Sequence, residues 1–531
     1  MEVLLVRIEY AQRGANLFKP HLITPTTPKD VVIVPSRMLP SLTTAKAVPR
    51  NVDVLVVGLS GGGVREVPEL IDRAFNKRFG MSVAEMATSL GAKSGPDTER
   101  TLPAAGDGPR IVVVGLDSDQ PSAENLRRAA GAGVRHALSL ADSDGLRVAV
   151  SLGAADVDQL AAVAEGALLG SYRYQPISAA PNNGGKIDSI TVVHPNTVKD
   201  GAIPSAAETV VQAVVTAREW VNIPANLLYP ESFADQVRTL VRDSKVAVDV
   251  LDETALDRLG YGGLLAVGGG SSRPPRLVRL SYSPRGASFH LALVGKGITF
   301  DTGGLNLKPS EGMYSMKCDM AGAAAVLAAA HAIAQLGLKI KVTAYGALAE
   351  NMPSGSAYRP SDVLTIYGGK TVENGNSDAE GRLVMADALA RANEDQPDLV
   401  VDVATLTGAC VVALGERTAG LMSSDDATAD LVLDAAEAAG EEVWQLPIPR
   451  EIRSKLDSKV ADLRSTAGDR WAGALVAAAF LREFVAEGTP WAHLDIAGPS
   501  FFDGKPYGYV VPGGTGVGVR TLIALARQLA T

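Results

Sequence analysis

Cysteine is nearly absent from this 531-residue sequence: Cys318 and Cys410 are the only two, and no CxxC pair occurs. A disulfide framework is excluded, and the residues point to a reducing compartment. Histidine is scarce too, six scattered residues with no HExxH, which speaks against a histidine-built zinc site. Basic charge is not in excess. Fifty Lys and Arg against 59 Asp and Glu give a net charge of −9 with no basic block, which disfavours a nucleic-acid partner. The first ten residues, MEVLLVRIEY, put Glu2 where a secretory signal needs positive charge, and Arg7 interrupts the apolar run. The one long apolar stretch, 321–338, is dominated by alanine and carries His331 and Gln335, so a buried core helix is expected there rather than a membrane span. No P-loop GxxxxGK[ST] and no internal repeat are found. These absences lead to the expectation of a soluble, cytoplasmic protein.

What is present is an ordinary globular composition, 46% apolar and 21% charged, over a length that suggests about two to four domains. In the first 200 residues, apolar runs such as Val54-Leu55-Val56-Val57 and Ile111-Val112-Val113-Val114 each end in glycine, as buried strands do before a turn. Ala-rich helical stretches lie between them, with a Pro/Gly-rich insert near 95–109 and a second loop over 179–185 ahead of a strand at 190–193. Ser205 and Glu208 fit a capping box, followed by Val210, Val211, Val214, Val215 and Val221 on one helical face. That helix reads as a connector, with a domain boundary near residue 200. Beyond it, expected strands at 246–251, 291–294, 342–347, 399–403 and 493–496 alternate with helices that include 321–336, 382–393 and 471–486. The alternation predicts a largely parallel or mixed sheet covered on both faces, with its site at the C-terminal strand ends.

Gly58-Leu59-Ser60-Gly61-Gly62 matches G-x-S-x-G after a strand, but a serine-hydrolase elbow needs a helix at once, and Gly63 follows instead. A glycine-rich turn is expected. The carboxylates are more telling. Asp301 follows Ile298-Thr299-Phe300, with Lys296 five residues earlier, just past the expected strand. Asp319 precedes the helix at 321, and Asp378 and Glu380 lie two apart in NSDAEGRL, on one face if the backbone is extended. Acids are seldom buried unless paired or bound to metal. Together the four carry −4, the charge that balances two divalent cations, and bridging carboxylates build two-metal sites about 3.5–4 Å across. Helix caps and surface-loop acids are the alternative. Lys308 and Arg382 add cations suited to a developing oxyanion, and Gly381-Arg382-Leu383 opens a helix whose N–H groups favour an anion. A structural salt-bridge network would look similar.

The segments VGKGITFDTGGL (294–305) and NSDAEGRL (376–383) resemble the leucyl aminopeptidase (cytosol aminopeptidase, M17) family, as do DVATLTG (402–408) and WAHLDIAG (491–498). The likeness spans roughly residues 205–531 and is weaker in the first half, where GALLGSY (166–172) matches best. Ser377 stands where the family commonly has threonine, so the hydroxyl is kept. The resemblance implies an α/β protein with an N-terminal macro-like domain over 1–200, a connecting helix over 201–222, and a C-terminal catalytic domain over 223–531 with a mixed sheet covered by helices. It implies a homohexamer with the catalytic domains at its centre. It also implies two divalent cations per subunit, Mn²⁺ or Zn²⁺, the tighter one held by Lys296, Asp301, Asp319 and Glu380. The more exchangeable one would be held by Asp301, Asp378 and Glu380. Lys308 would polarise the scissile carbonyl, and a bicarbonate on Arg382 would serve as general base. Met316, Thr405, Leu406 and Gly408 would line the substrate and its first side-chain pocket. The implied activity is that of a metallo-exopeptidase releasing leucine-like residues from peptides with a free N-terminus. Two rivals are a DNA-binding regulator on the same fold, against which the net charge argues, and a two-metal phosphoesterase.

Overall fold

Runs of β-branched residues bounded by glycine build two large sheets, which the computed structural model describes over residues 39–141, 145–177, 185–194 and 202–530. All of these belong to one compact unit. The N-terminal stretch 1–10, most of the expected 179–185 loop and the expected boundary at 195–201 lie outside the described residues.

The first sheet runs Ser41–Ala45, Ile187–Val193, Leu146–Ser151, Val54–Ser60, Arg110–Gly115, Glu99–Leu102. Neighbours are parallel as far as Arg110–Gly115, and Glu99–Leu102 closes the edge antiparallel. That edge strand lies inside the 95–109 insert, whose prolines and glycines hid it. Ser60 pairs with Gly63 in a short hairpin, so GLSGG is a turn between strands and not a nucleophile elbow. The helices Ala123–Ser139 and Val157–Gly170 lie with their backbones almost touching. A Cβ at Gly166 would sit 2.1 Å from the Arg127 carbonyl oxygen, and one at Gly170 would sit 2.3 Å from that of Gly131. The two glycines of GALLGSY are therefore a helix–helix contact.

The second sheet has eight strands in the order Val443–Gln445, Ala419–Ser423, Trp491–Asp495, Leu399–Ala404, His290–Asp301, Lys341–Asn351, Arg276–Tyr282, Ala247–Leu251. Its centre is parallel, and Arg276–Tyr282, Ala247–Leu251 and the Ala419–Ser423 pairing to Trp491–Asp495 are antiparallel. The mixed sheet expected from the alternation is present. One face carries the helices Glu380–Asn393 and Gly473–Arg482, which share a core with Ala292, Val294, Ile298 and Tyr345. The other face carries Ala321–Gln335, packed in turn on Ala202–Asn222. Ala321–Gln335 belongs to an apolar helical stretch long enough to cross a membrane, yet 89% of its most apolar window is buried in the protein.

Two local expectations are corrected. The strand expected to stop at 294 continues to Asp301, so Lys296 lies within it rather than past its end. Gly295 allows this, because a Cβ there would meet Ala323 Cα at 2.5 Å and push the helix off the sheet. The connecting helix begins at Ala202, which places the Ser205–Glu208 pattern inside the helix and leaves it no role as a cap. Pro204 is tolerated because first-turn N–H groups have no intrahelical acceptor.

Gly166→Ala should force the two helices of the first layer apart, since the clash is with backbone that cannot swing away. A loss of about 1–3 kcal/mol is expected, read as a lowered midpoint in calorimetry, with turnover per folded molecule unchanged. A wild-type midpoint would show that the helices do not depend on this contact.

Candidate active site

The long central strand passes the end of Leu399–Ala404 at Gly295 and ends at Asp301 beside Asn351, and the chemistry-bearing residues gather along this stretch. Lys296 comes from within the strand and Asp319 from the end of the short turn Met316–Cys318. Asp378 sits in a turn and Glu380 opens the helix Glu380–Asn393. The extended backbone expected for 378–380 is therefore absent, and the two acids meet because the turn doubles back onto the helix start. Ligating oxygens of Asp301, Asp378 and Glu380 lie within 4.8 Å of one another.

Two lysines stand among the acids. Lys296 Nζ is 2.8 Å from Asp319 and 2.8 Å from Glu380 Oε1, and it donates to the Thr405 carbonyl at 3.0 Å. Lys308 Nζ is 2.8 Å from Asp301 Oδ2 and 2.5 Å from Asp378 Oδ1. Thr405 Oγ1 donates to Asp319 Oδ1 at 2.7 Å, so the loop after Leu399–Ala404 borders the cluster. Leu406 is half-buried and Gly408 is exposed at the start of Gly408–Leu414. Met316 is half-buried in the turn that carries Asp319. Arg382 is buried in the first turn of Glu380–Asn393, its Nη1 donating to the Ser465 carbonyl at 2.8 Å and its Nε without a hydrogen-bond partner.

The charges strain against burial. Burial works to lower the Lys296 pKa, but Asp319, Glu380 and Asp301 outweigh it and hold the ammonium well above its usual range. Burial likewise opposes Lys308, which Asp301 and Glu380 hold up in the same way. Burial and the Glu380 charge push Asp301 up to about 6, against the pull of Lys296 and Lys308. Burial also raises Asp319 and Asp378, whereas for Glu380 the two lysines outweigh burial and keep it low. Arg382 is brought down to about 10 by burial, against Glu380 and Asp495. The acids hold more negative charge than two lysines neutralise, and Glu380 Oε2 is buried without a hydrogen-bond partner. Such a donor set fits divalent cations.

Asn351 and Tyr358 escaped the sequence reading, and the partners of the Ser377 hydroxyl were not readable from it. Asn351 Nδ2 donates to Asp301 Oδ1 at 2.8 Å and to the Ser377 carbonyl at 3.0 Å, which also accepts from Tyr358 Oη at 2.7 Å. Ser377 Oγ donates to the Gly303 carbonyl at 2.8 Å and accepts from Asn306 N at 2.8 Å, tying the 376–380 turn to the loop after Asp301. A polar residue closing an apolar strand next to an acid was the available signal for Asn351. Its partner 26 residues away was not readable from spacing.

The catalytic-domain signature of the cytosol aminopeptidase family matches residues 215–523, and the N-terminal-domain signature of that family matches residues 56–178. The probable cytosol aminopeptidase of Cutibacterium acnes is 51% identical over 504 residues, covering 94% of this chain and 98% of that protein. That of Streptomyces griseus is 48% identical, covering 92% of this chain and 98% of that protein. Among solved structures, the bottromycin maturation enzyme BotP in complex with Mn is similar, with a TM-score of 0.79 and 39% identity over 90% of this chain and 100% of that one. A mutant of tomato leucine aminopeptidase gives a TM-score of 0.82 at 30% identity, over 93% of this chain and 97% of that one. The chain belongs to the cytosol aminopeptidase family. It is a metal-dependent aminopeptidase, a hydrolase of peptides with divalent cations as cofactors.

Gly381 shows how tightly the cluster is built. A Cβ there would lie 2.4 Å from Lys296 Cε and 2.7 Å from Nζ. Gly381→Ala should fold, because the lysine tip can move, but moving it breaks the contacts to Asp319, Glu380 and Thr405. Displacement of a site group by about 1 Å is expected to cost roughly a hundredfold in turnover, with the thermal midpoint little changed. Wild-type turnover would mean the position of Lys296 does not matter to the site.

Proposed function

We propose that this member of the cytosol aminopeptidase family releases single N-terminal residues, leucine-like ones preferentially, from peptides with a free α-amino group. The observation that carries the reading is the convergence of Lys296, Asp301, Asp319, Asp378 and Glu380, with an unpartnered buried oxygen on Glu380. Lys296, Asp301, Asp319 and Glu380 would hold one divalent cation, and Asp301, Asp378 and Glu380 the second. Carboxylates with one amine suit Mn²⁺ or Zn²⁺, and such a pair supplies the Lewis acidity that makes water nucleophilic near neutral pH. Lys296 must lose its ammonium proton to solvent to act as a ligand, which the charge of a dication held by Asp319 and Glu380, each 2.8 Å away, together with burial, would favour.

The remaining work falls to the chain itself. Asp319 would accept a hydrogen bond from the substrate α-amino group, which fixes cleavage at the first peptide bond. Lys308, partly exposed and aimed by Asp301 and Asp378, would hold the carbonyl oxygen as it gains charge. Arg382, buried on the first turn of a helix with a free Nε, suits a small anion such as bicarbonate as the base. Met316, Thr405, Leu406 and Gly408 would line the first side-chain pocket. We place the domain division near residue 200, with the helix Ala202–Asn222 between the two sheets. A cytoplasmic homohexamer completes the reading. Its support is the family name of the relatives and the exposed apolar side chains Tyr314, Val412, Trp444 and Trp471, which subunit contacts would cover.

Blocking the α-amino group is the direct test. Acetyl-leucine anilides should be turned over at least about a thousandfold more slowly than leucine anilides, since several kcal/mol of transition-state binding is lost. Comparable rates for the two would remove the exopeptidase reading.

Lys308→Met keeps the length and apolar stem but removes the charge. At saturating metal, kcat should fall by roughly 10²–10³. If the lysine only balances Asp301 and Asp378, the variant will change metal affinity and leave saturated kcat near wild type.

A further inference from the structure

Asp495 ends the strand Trp491–Asp495, paired in register with Ala404, the last residue of the strand that feeds the 405–407 loop. It is fully buried, yet among the described residues no lysine, arginine or histidine forms an ion pair with it. A carboxylate in that position is costly unless donors surround it. The donors come mainly from the loop. Oδ1 accepts from Leu406 N at 3.1 Å, Thr407 N at 3.4 Å and Ala497 N at 3.1 Å, and Oδ2 accepts from Thr407 Oγ1 at 2.7 Å. The Thr407 hydroxyl in turn accepts from Cys410 N at 3.0 Å, capping Gly408–Leu414.

The other side of the same loop touches the cluster. Thr405 offers its carbonyl to Lys296 and its hydroxyl to Asp319, while its neighbours Leu406 and Thr407 are bound to Asp495. Asp495 and Glu380 are also the two acids whose charges bear on buried Arg382.

We propose that Asp495 is a positioning residue: by gathering the Leu406 and Thr407 amides and the Thr407 hydroxyl, it sets the loop 405–407 at the height at which it receives the substrate's first residue. The inference rests on the aminopeptidase reading above. It assigns the burial of this carboxylate to substrate placement, through a loop one strand away from the metal-binding acids. Asparagine in its place keeps the shape but removes the charge and replaces one acceptor oxygen by an NH₂ donor, so that it cannot accept from the Leu406, Thr407 and Ala497 amides and from the Thr407 hydroxyl together as the carboxylate does.

The test uses the full-length enzyme saturated with Mn²⁺, leucine p-nitroanilide as probe, and metal analysis of each variant. Asp495→Asn should keep wild-type metal content and raise KM by about tenfold to a hundredfold, with a smaller change in kcat, the size of losing hydrogen bonds to a charged group. Thr407→Val, which removes one of those donors, should raise KM in the same direction by a smaller factor. Unchanged KM in both variants overturns the proposal. So does a loss of kcat that merely follows a loss of bound metal, which would make Asp495 a support for the ligands. Should Asp495→Asn fail to fold, Thr407→Val decides alone, by the same KM criterion. Absence of anilide turnover in the wild-type enzyme would instead overturn the parent reading.

Discussion

Three buried carboxylates and a half-buried fourth repel one another, and that repulsion is the constraint on which this end of the molecule depends. Asp301, Asp319, Asp378 and Glu380 remain in place because Lys296 and Lys308 lie between them and because their oxygens are held from outside. Coulomb attraction in a poorly solvated place is strong, but so is the cost of removing charge from water, so such a cluster is weak as a source of stability. Its worth lies in the affinity of the surplus negative charge for dications. The fold provides the rigidity this requires. The acids hang from a twelve-residue central strand, a helix start and a turn, and glycines let backbones meet closely at the first two, Gly295 against Ala323 and Gly263 against the Leu383 carbonyl.

Much of this was legible in the sequence, for physical reasons. Strands buried on both faces read as unbroken apolar runs, so the sheet-forming segments at 291–294, 342–347 and 399–403 were located, though too short at their ends. The acids stood out because charge at the end of an apolar strand has few structural uses. What could not be read was whatever tertiary packing decides. The continuation of His290–Asp301 through Gly-Lys-Gly depends on Ala323 lying against Gly295, and a glycine-lysine-glycine run alone looks like a strand end. The Ser205–Glu208 pattern is a valid local cap, overridden because the helix gains contacts by starting at Ala202. The joint position of Asp378 and Glu380 came out right with the wrong backbone, since period-two reasoning cannot see a turn that feeds a helix. Asn351 and Asp495 were missed because their partners are distant in sequence.

The first layer is joined to the second through buried polar contacts as well as apolar ones. Tyr509 Oη donates to Glu124 at 2.9 Å, and a Cβ at Gly131 would lie 2.6 Å from Tyr509 Cβ. Arg218, buried on Ala202–Asn222, donates to the carbonyls of Thr515 and Tyr509, with the Tyr172 ring 5.2 Å away. Asn222, at the end of that helix, receives Gly514 N on its side chain at 2.9 Å and Lys317 Nζ on its carbonyl at 2.7 Å. A lysine at a helix C-terminus is favoured by the orphan carbonyls there. Lys317 belongs to the turn that delivers Asp319, so this bond ties the connecting helix to the acid cluster.

Signs of charge alternate inward along the buried polar groups. Asp402 accepts from Trp491 Nε1 at 2.7 Å and pairs with His493 at 2.5 Å. Burial opposes charge on His493, but Asp402 and Asp495 outweigh it and raise the imidazole pKa. Arg382 counters that rise and is itself supported by Glu380 and Asp495, and Glu380 meets Lys296. Each of these groups therefore depends on neighbours of opposite sign. Truncating a member of such a series leaves a buried charge uncompensated, which costs more than the pair itself contributes. That asymmetry accounts for a protein keeping an aspartate–histidine pair and an arginine in its apolar interior. Their arrangement carries the order of charges from the strands Leu399–Ala404 and Trp491–Asp495 to the acids around the neighbouring central strand, and there the series ends in excess negative charge.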